Sequence, residues 1–263
     1  MANLRFLTSG ESHGKALTGI LEGIPSGLPV SSGDIDRDLR RRQGGHGRGG
    51  RMKIEADHAQ ILSGIRFGKT IGSPIALLIK NKDWQNWQDV MSYELRVKSS
   101  ELKVDDFCSP NSKLQTPNSS VTSPRPGHAD LAGAVKYDTH DMRNILERSS
   151  ARETAMRVAL GAIAKRFLSE FGIKIGSYVI QIGKVQSSKL KIKSSEKELL
   201  ESFRSAEISP VRCPDKISSK KMVQLIDKAL KEGNSLGGIF EVFAAGVPVG
   251  LGSHIQWDKR LDG

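Results

Sequence analysis

The chain has 263 residues, 37% of them hydrophobic and 26% charged, so it carries enough apolar material for a packed core and is not a charge-dominated disordered segment. No apolar run approaches the ~20 residues that span a bilayer, and the opening residues Met1 to Gly14 hold no secretory apolar region. A net charge of +11 points to an anionic partner or substrate. The two cysteines, Cys108 and Cys213, lack metal-ligand spacing and read as free thiols of a reducing compartment.

In chain order, Leu4 to Leu7 reads as a short strand running into Gly10-Glu11-Ser12-His13-Gly14. Glycines on both sides of a polar triplet allow a sharp turn, and an imidazole held there can donate or take a proton near neutral pH. A turn histidine with no role fits the same five residues. Leu17 to Ile24 reads as a second strand. Ser31 or Ser32 caps a short helix through Ile35 and Leu39, which runs into a loop from Arg40 to Arg51 with five arginines and five glycines. Guanidinium groups bind phosphate and carboxylate through paired donors. An RNA-binding Arg-Gly segment has similar composition, but this loop is short, does not repeat, and precedes an ordered-looking segment from Met52 to Ile65. An anion-binding loop inside a domain is the preferred reading.

Ile75 to Ile79 is a continuous apolar run suited to a buried strand. Asn81, Asp83, Trp84 and Trp87 follow it. From Val90 to Thr122 the pattern fades into a Ser-, Lys- and Pro-containing excursion. Pro124, Pro126 and Gly127 then form a loop that presents Arg125, His128 and Asp130. Ser150 with Glu153 fits a capping box, and Ala155, Val158, Ala159, Ala162, Ile163 and Phe167 continue at helical spacing until Gly172. This places Arg148, Ser149 and Ser150 at a helix N-terminus, which favours an anion. An ordinary cap beside a solvated Arg148 fits as well. Beyond it, Ile173 to Val185 reads as a strand or hairpin, Ser195 to Arg204 and Ser218 to Glu232 as helices, and Gly237 to Val247 as a strand. With no repeat and no clear linker, a single domain over residues 1–263 is expected.

The set of motifs resembles the chorismate synthase family. The resemblance rests on Gly10-Glu11-Ser12-His13-Gly14, the Arg-Gly loop from Arg41 to Met52, Arg125-Pro126-Gly127-His128-Ala129-Asp130, and Glu147-Arg148-Ser149-Ser150-Ala151-Arg152-Glu153-Thr154. Gly246 to Gly252 and Trp257 to Asp262 extend it to the end. It implies an α+β fold, a β-α-β sandwich with helices packed between antiparallel sheets. It implies a cytoplasmic homotetramer that removes phosphate from 5-enolpyruvylshikimate-3-phosphate by anti-1,4-elimination to give chorismate. Reduced FMN is needed, and NADPH reduces the flavin in some members. No metal, nucleic acid or membrane enters this expectation.

By match to the family motifs, His13 is the acid that protonates the departing phosphate, and His128 keeps the reduced flavin in its protonation state. Arg42, Arg48, Arg125 and Arg152 line the substrate's phosphate and carboxylates, and Arg42 and Arg48 also match NADP(H) positions. Arg148, Ser149 and Ser150 contact FMN. His46, His58, His140 and His254 are expected to be ordinary surface or structural histidines. Family members continue past Leu261-Asp262-Gly263 with further flavin contacts, so the resemblance predicts that this stretch alone binds FMN weakly or not at all and does not turn over.

Overall fold

The structure, a computed structural model, describes residues 4–49, 54–91, 120–188 and 195–260. The described residues divide into two compact units, one of residues 1–42 and 51–161, the other of residues 43–50 and 162–263. No linker marks the division, which is why the sequence shows none. It falls after Gly161, inside one continuous helix.

The first unit is built on a four-stranded antiparallel sheet in the order β1-β2-β6-β3, from β1 (Arg5–Gly10), β2 (Ala16–Glu22), β3 (Ala59–Ser63) and β6 (Ile75–Lys80). Leu17, Gly19 and Leu21 of β2 pair with Ile79, Leu77 and Ile75 of β6, and all six are buried. This face is the apolar half of each strand's alternation, and each such side chain contributes about 1.5–3 kcal/mol on burial. Gly19 leaves room for helix α5 (Thr154–Ser169): a Cβ there would lie 2.6 Å from Met156 Cγ and 3.0 Å from Leu160 Cδ1. A two-stranded ribbon, β4 (Ile65–Arg66) with β5 (Lys69–Thr70), lies between β3 and β6 in sequence.

Helix α1 (Ser32–Gln43) buries Ile35 and Leu39 as the spacing predicts. Three helices lack a sequence expectation: α2 (Trp84–Met91), α3 (Asp130–Tyr137) and α4 (Arg143–Ser149). They are short, and α3 buries only Asp130 and Ala134, so no apolar stripe announces it. Asp130 is therefore not presented from the Pro-Gly loop. It opens α3 and is fully buried.

The second unit carries the antiparallel sheet β8-β7-β9, from β7 (Lys174–Ile182), β8 (Val185–Gln186) and β9 (Gly238–Ala245). Tyr178, Phe243 and Ala245 pack with Ala206 of helix α6 (Glu196–Glu207). Val211, Cys213 and Met222 form a second cluster, the last from helix α7 (Lys216–Lys231). Cys213 is a buried free thiol, whereas Cys108 and most of the 90–122 excursion lie outside the described residues. The α+β class expected from the sequence is what is observed, with every sheet antiparallel among the described residues. No described helix is long and apolar enough to cross a membrane.

Candidate active site

The Gly10–Gly14 motif is the hairpin loop between β1 and β2, whose last ladder pair is Gly10 with Leu17. Gly10 has a φ of +89°, and a Cβ there would run into the Ala16 carbonyl, so this turn requires glycine. Asn81, directly after β6, closes the loop. Its side-chain amide donates to the carbonyls of Glu11 (2.9 Å) and Gly14 (2.7 Å), and its backbone N–H donates to Lys15.

Inside the loop, the His13 ring is 14% exposed. Its Nδ1 lies 2.7 Å from Glu147 Oε1, and its backbone N–H donates to Glu147 Oε2 at 2.7 Å. Ser12 donates its backbone N–H to the Glu147 carbonyl and its hydroxyl to Ser150 Oγ. The Trp87 ring lies 4.3 Å from the imidazole, centroid to centroid, and is held by its own bond to Asp83 Oδ2.

A buried charge network lies beside the loop. Arg152 is only 4% exposed and donates to Asp57 Oδ1 (2.5 Å) and Asn81 Oδ1 (2.9 Å), with Glu55 Oε2 at 3.5 Å. Buried charges need such partners. Arg42 donates to the Ala151 carbonyl and the Thr154 hydroxyl, and its Nη1 lies 3.6 Å from Asp57 Oδ2.

Arg125 forms a fork on Asp130, with Nε and Nη2 each 2.8 Å from a carboxylate oxygen, and also reaches Ser149 Oγ. The Arg125 donors hold the Asp130 carboxyl well below its usual range, at about 2. Arg148 donates to the Gly10 carbonyl and to Thr8, and pairs with Glu153 at 3.3 Å. Burial pushes Glu153 up, but the Thr8 hydroxyl, Arg157 and Arg148 outweigh it and leave its pKa lowered. Burial raises the carboxyl of Glu11, and the neighbouring Glu147 charge raises it further.

The helix-terminus reading is corrected here. Arg148 and Ser149 are the last residues of α4, so no helix N-terminus lies under them. Ser150 alone is a cap: its hydroxyl accepts from Arg152 N, opening a 3-10 turn (Ala151–Glu153) that leads into α5. The Glu153 carboxylate does not reach back to close the expected box. Thr8, Arg148 and Arg157 take it instead, because β1 lies alongside.

The structure thus brings His13, Arg42, Arg125, Arg148, Ser149, Ser150 and Arg152 into one unit around the hairpin loop. His128 belongs to the same unit, on the loop before α3, exposed and with Nδ1 3.1 Å from the Pro126 carbonyl. Arg48 belongs to the other unit, exposed, with Nε donating to the Gly44 carbonyl. Sequence reasoning missed Glu147, Asn81 and Asp57. Glu147 stands inside the Glu147–Thr154 motif, and its signal is an acid seven residues ahead of helix α5, which has no meaning until the β1–β2 loop lies beside it.

Among the described residues, no group of three His, Cys, Asp or Glu is placed to hold a metal ion. Glu11, Lys15, Trp84, Arg143, Glu147 and Arg148 line a cleft of about 870 Å³ beside the loop.

The described residues thus form an antiparallel α+β scaffold that presents a clamped histidine among arginines. Comparison with known proteins makes this specific. The family model for chorismate synthase matches residues 4–263, and the chain belongs to that family. It is 56% identical over 263 residues to the chorismate synthase of Aquifex aeolicus (strain VF5) and 54% identical over 260 residues to that of Symbiobacterium thermophilum. A crystal structure of a chorismate synthase, 48% identical, superposes with a TM-score of 0.74 over 98% of this chain and 63% of that one. The chain spans 62% of the length of each of the two relatives while 99% of its own length is matched.

Proposed function

We propose that this chain takes part in the elimination of phosphate from 5-enolpyruvylshikimate-3-phosphate to give chorismate, in the biosynthesis of aromatic amino acids. The observation that carries this is His13, fixed by Glu147 in the β1–β2 loop with the family's arginines around it. The substrate brings a phosphate and two carboxylates. Arg125, 35% exposed, carries an outward guanidinium group that such charges need, while Arg42, 12% exposed, is held by Ala151 and Thr154. Arg152 acts from behind, holding Asp57 and Asn81 rather than reaching a ligand, because its side chain is buried.

In this reading His13 gives its Nε2 proton to the departing phosphate, since Nδ1 is engaged by Glu147. The residues present also fit FMN. Arg148, 41% exposed, and Trp84 line the same cleft, one suited to a phosphate and the other to an aromatic ring system. Ser149 and Ser150 complete that proposed contact. Reduced FMN, when bound, supplies transient electron density to the elimination. His128 is assigned to the flavin by resemblance, with Nε2 as its available nitrogen, since Nδ1 meets the Pro126 carbonyl. NADPH, through Arg42 and Arg48, the homotetramer and a cytoplasmic location rest on the family resemblance alone. The two units are read as one family domain because the family model runs through both.

Calorimetric titration of the chain with FMN, with and without 5-enolpyruvylshikimate-3-phosphate, tests the proposal, followed by a chorismate assay under reducing conditions. Flavin binding strengthened by substrate, with turnover lost in His13→Ala, is the supporting result, and it would overturn the expectation that this stretch alone is inactive. Turnover that survives His13→Ala would overturn the role given to His13.

A further inference from the structure

The family resemblance assigns roles to His13 and to Arg148, Ser149 and Ser150, but none to Glu147, which touches the loop holding the first and precedes the others in sequence. Its carboxylate grips His13 twice, Oε1 on the ring Nδ1 and Oε2 on the backbone N–H, both at 2.7 Å. Its own carbonyl accepts from Ser12 N at 3.2 Å. Three bonds from one residue therefore fix both the loop and the ring it carries. Glu147 is itself buried.

We propose that Glu147 is the positioning residue of His13: it keeps the imidazole proton on Nδ1 and aims Nε2 outward as the one nitrogen that exchanges a proton with an anionic ligand. The identity of that ligand rests on the elimination reading above; the clamp does not.

An ionised carboxylate only accepts hydrogen bonds, so Nδ1 beside it must be the donor. A histidine whose one nitrogen is so engaged has its tautomer set by that bond. Trp87 packs on the ring, its indole 4.3 Å from the imidazole and tied to Asp83, which adds to the hold on its orientation. The proton balance follows. The Nε2–H bond of the imidazolium breaks, its proton joins a phosphate oxygen, and the Nδ1–H bond to Glu147 persists. His13 is left neutral and is recharged at Nε2 by a proton from solvent. Glu147 steadies the imidazolium without taking its proton, as the aspartate does in a Ser-His-Asp triad.

Two other charges face Glu147, the like charge of Glu11 and the opposite charge of Arg125. Neither bonds to the His13 ring, so each can supply a field but not a tautomer.

The test is 15N NMR of the ligand-free 263-residue chain labelled at histidine, with His13→Gln used to assign the resonances. The neutral His13 ring should carry its proton on Nδ1. Glu147→Ala should move the ring predominantly to the Nε2–H form that a free histidine side chain favours, and Glu11→Gln should leave it unmoved. A wild-type ring protonated on Nε2, or an equal effect from Glu11→Gln, would overturn the clamp. If Glu147→Ala does not fold, Glu147→Gln serves. Its amide oxygen still accepts from Nδ1–H, but its NH2 cannot accept from the His13 backbone, so that amide should lose protection from hydrogen exchange. Unchanged protection would also sink the proposal. None of these readouts needs turnover. A chain that makes no chorismate yet shows the Nδ1–H ring refutes the activity reading and leaves the clamp standing.

Discussion

Arg152 and Arg125 carry similar carboxylate contacts and should respond to substitution in different ways. The Arg152 guanidinium is buried among Asp57, Asn81 and Glu55, so removing it takes a charge partner from two buried acids. Arg152→Ala is expected to cost about 3–5 kcal/mol in urea denaturation, the usual scale for breaking a buried pair from one side. A loss under about 1 kcal/mol would mean that the network is wet and loosely held. Arg125 is partly exposed, and its contribution is instead pH-dependent. The Asp130 carboxyl is held at about 2 in the folded chain against 3.8 ordinarily. A depressed carboxylate stabilises above its unfolded pKa, so the contribution is complete above about pH 5 and fades as pH falls from about 4 through 2. Its upper bound is about 2 kcal/mol, reduced by solvent screening at Arg125. The stability gap between wild type and Asp130→Asn should therefore close between about pH 5 and pH 2; a gap constant with pH would dismiss the ion pair as its source. At this scale the motif residues stood out only as a set, because a histidine in a glycine turn or an arginine beside glycine also fits an ordinary structural role on its own. Asn81 and Asp57 did not stand out, since their roles consist of reaching residues more than sixty positions away.

The elements separate along the same line. The apolar run at β6 and the stripe of α1 are local signals, and both elements formed there, although α1 runs on to Gln43 and takes Arg40, Arg41 and Arg42 out of the expected loop into its last turn. Helix α6 starts at its expected cap, with the Ser195 hydroxyl accepting from Glu198 N. Helix α7 begins earlier than its apolar face suggests. Asp215 caps it, accepting from the N–H groups of Ile217 and Ser218, and the Ser218 hydroxyl also bonds that carboxylate. The Ser218 hydroxyl, with help from Ser188, depresses the Asp215 carboxyl strongly. The cap is buried, and the Ser195 cap is exposed. Asp215→Ala should therefore cost about 1–2 kcal/mol and Ser195→Ala no more than about half that, by thermal or urea melts of the two variants. Equal costs would mean that the buried hydrogen bonds around Asp215 add nothing to a simple cap. Helices α2, α3 and α4 stayed hidden because they are held by tertiary contacts: Gly133 of α3 lies against Ile145 of α4, and Arg143 bonds both Asp141 and the Val90 carbonyl. The missed end of α4 is also what misplaced Arg148 and Ser149.

For the molecule as a whole, the charge of +11 admits two readings, a polyanion-binding surface or a site for a small anion. The two readings draw on different residue types. The arginines of the first unit are largely committed to carboxylates: Arg125 to Asp130, Arg143 to Asp141, Arg148 and Arg157 to Glu153, Arg152 to Asp57. The surplus lies on lysines such as Lys216, Lys220, Lys221 and Lys231 along α7, solvated and spread over a helix surface. Lysines of that kind bind nucleic acid without sequence preference through counterion release, with a salt slope of about −0.9 per phosphate neutralised. Partly buried guanidinium groups, gripping a small anion from fixed positions, are screened far less. Replacing Lys216, Lys220 and Lys221 by Gln should thus weaken binding to a DNA duplex and flatten its salt slope by about 2–3, while phosphate-ester binding in the first unit, read by calorimetry, stays unchanged. The converse variant, Arg125→Gln, should weaken the small anion and leave the DNA slope alone. If Arg125→Gln instead lowered DNA affinity as much as the three lysine changes together, the arginine group would be part of a nucleic-acid surface, and the proposed elimination would lose its anion site.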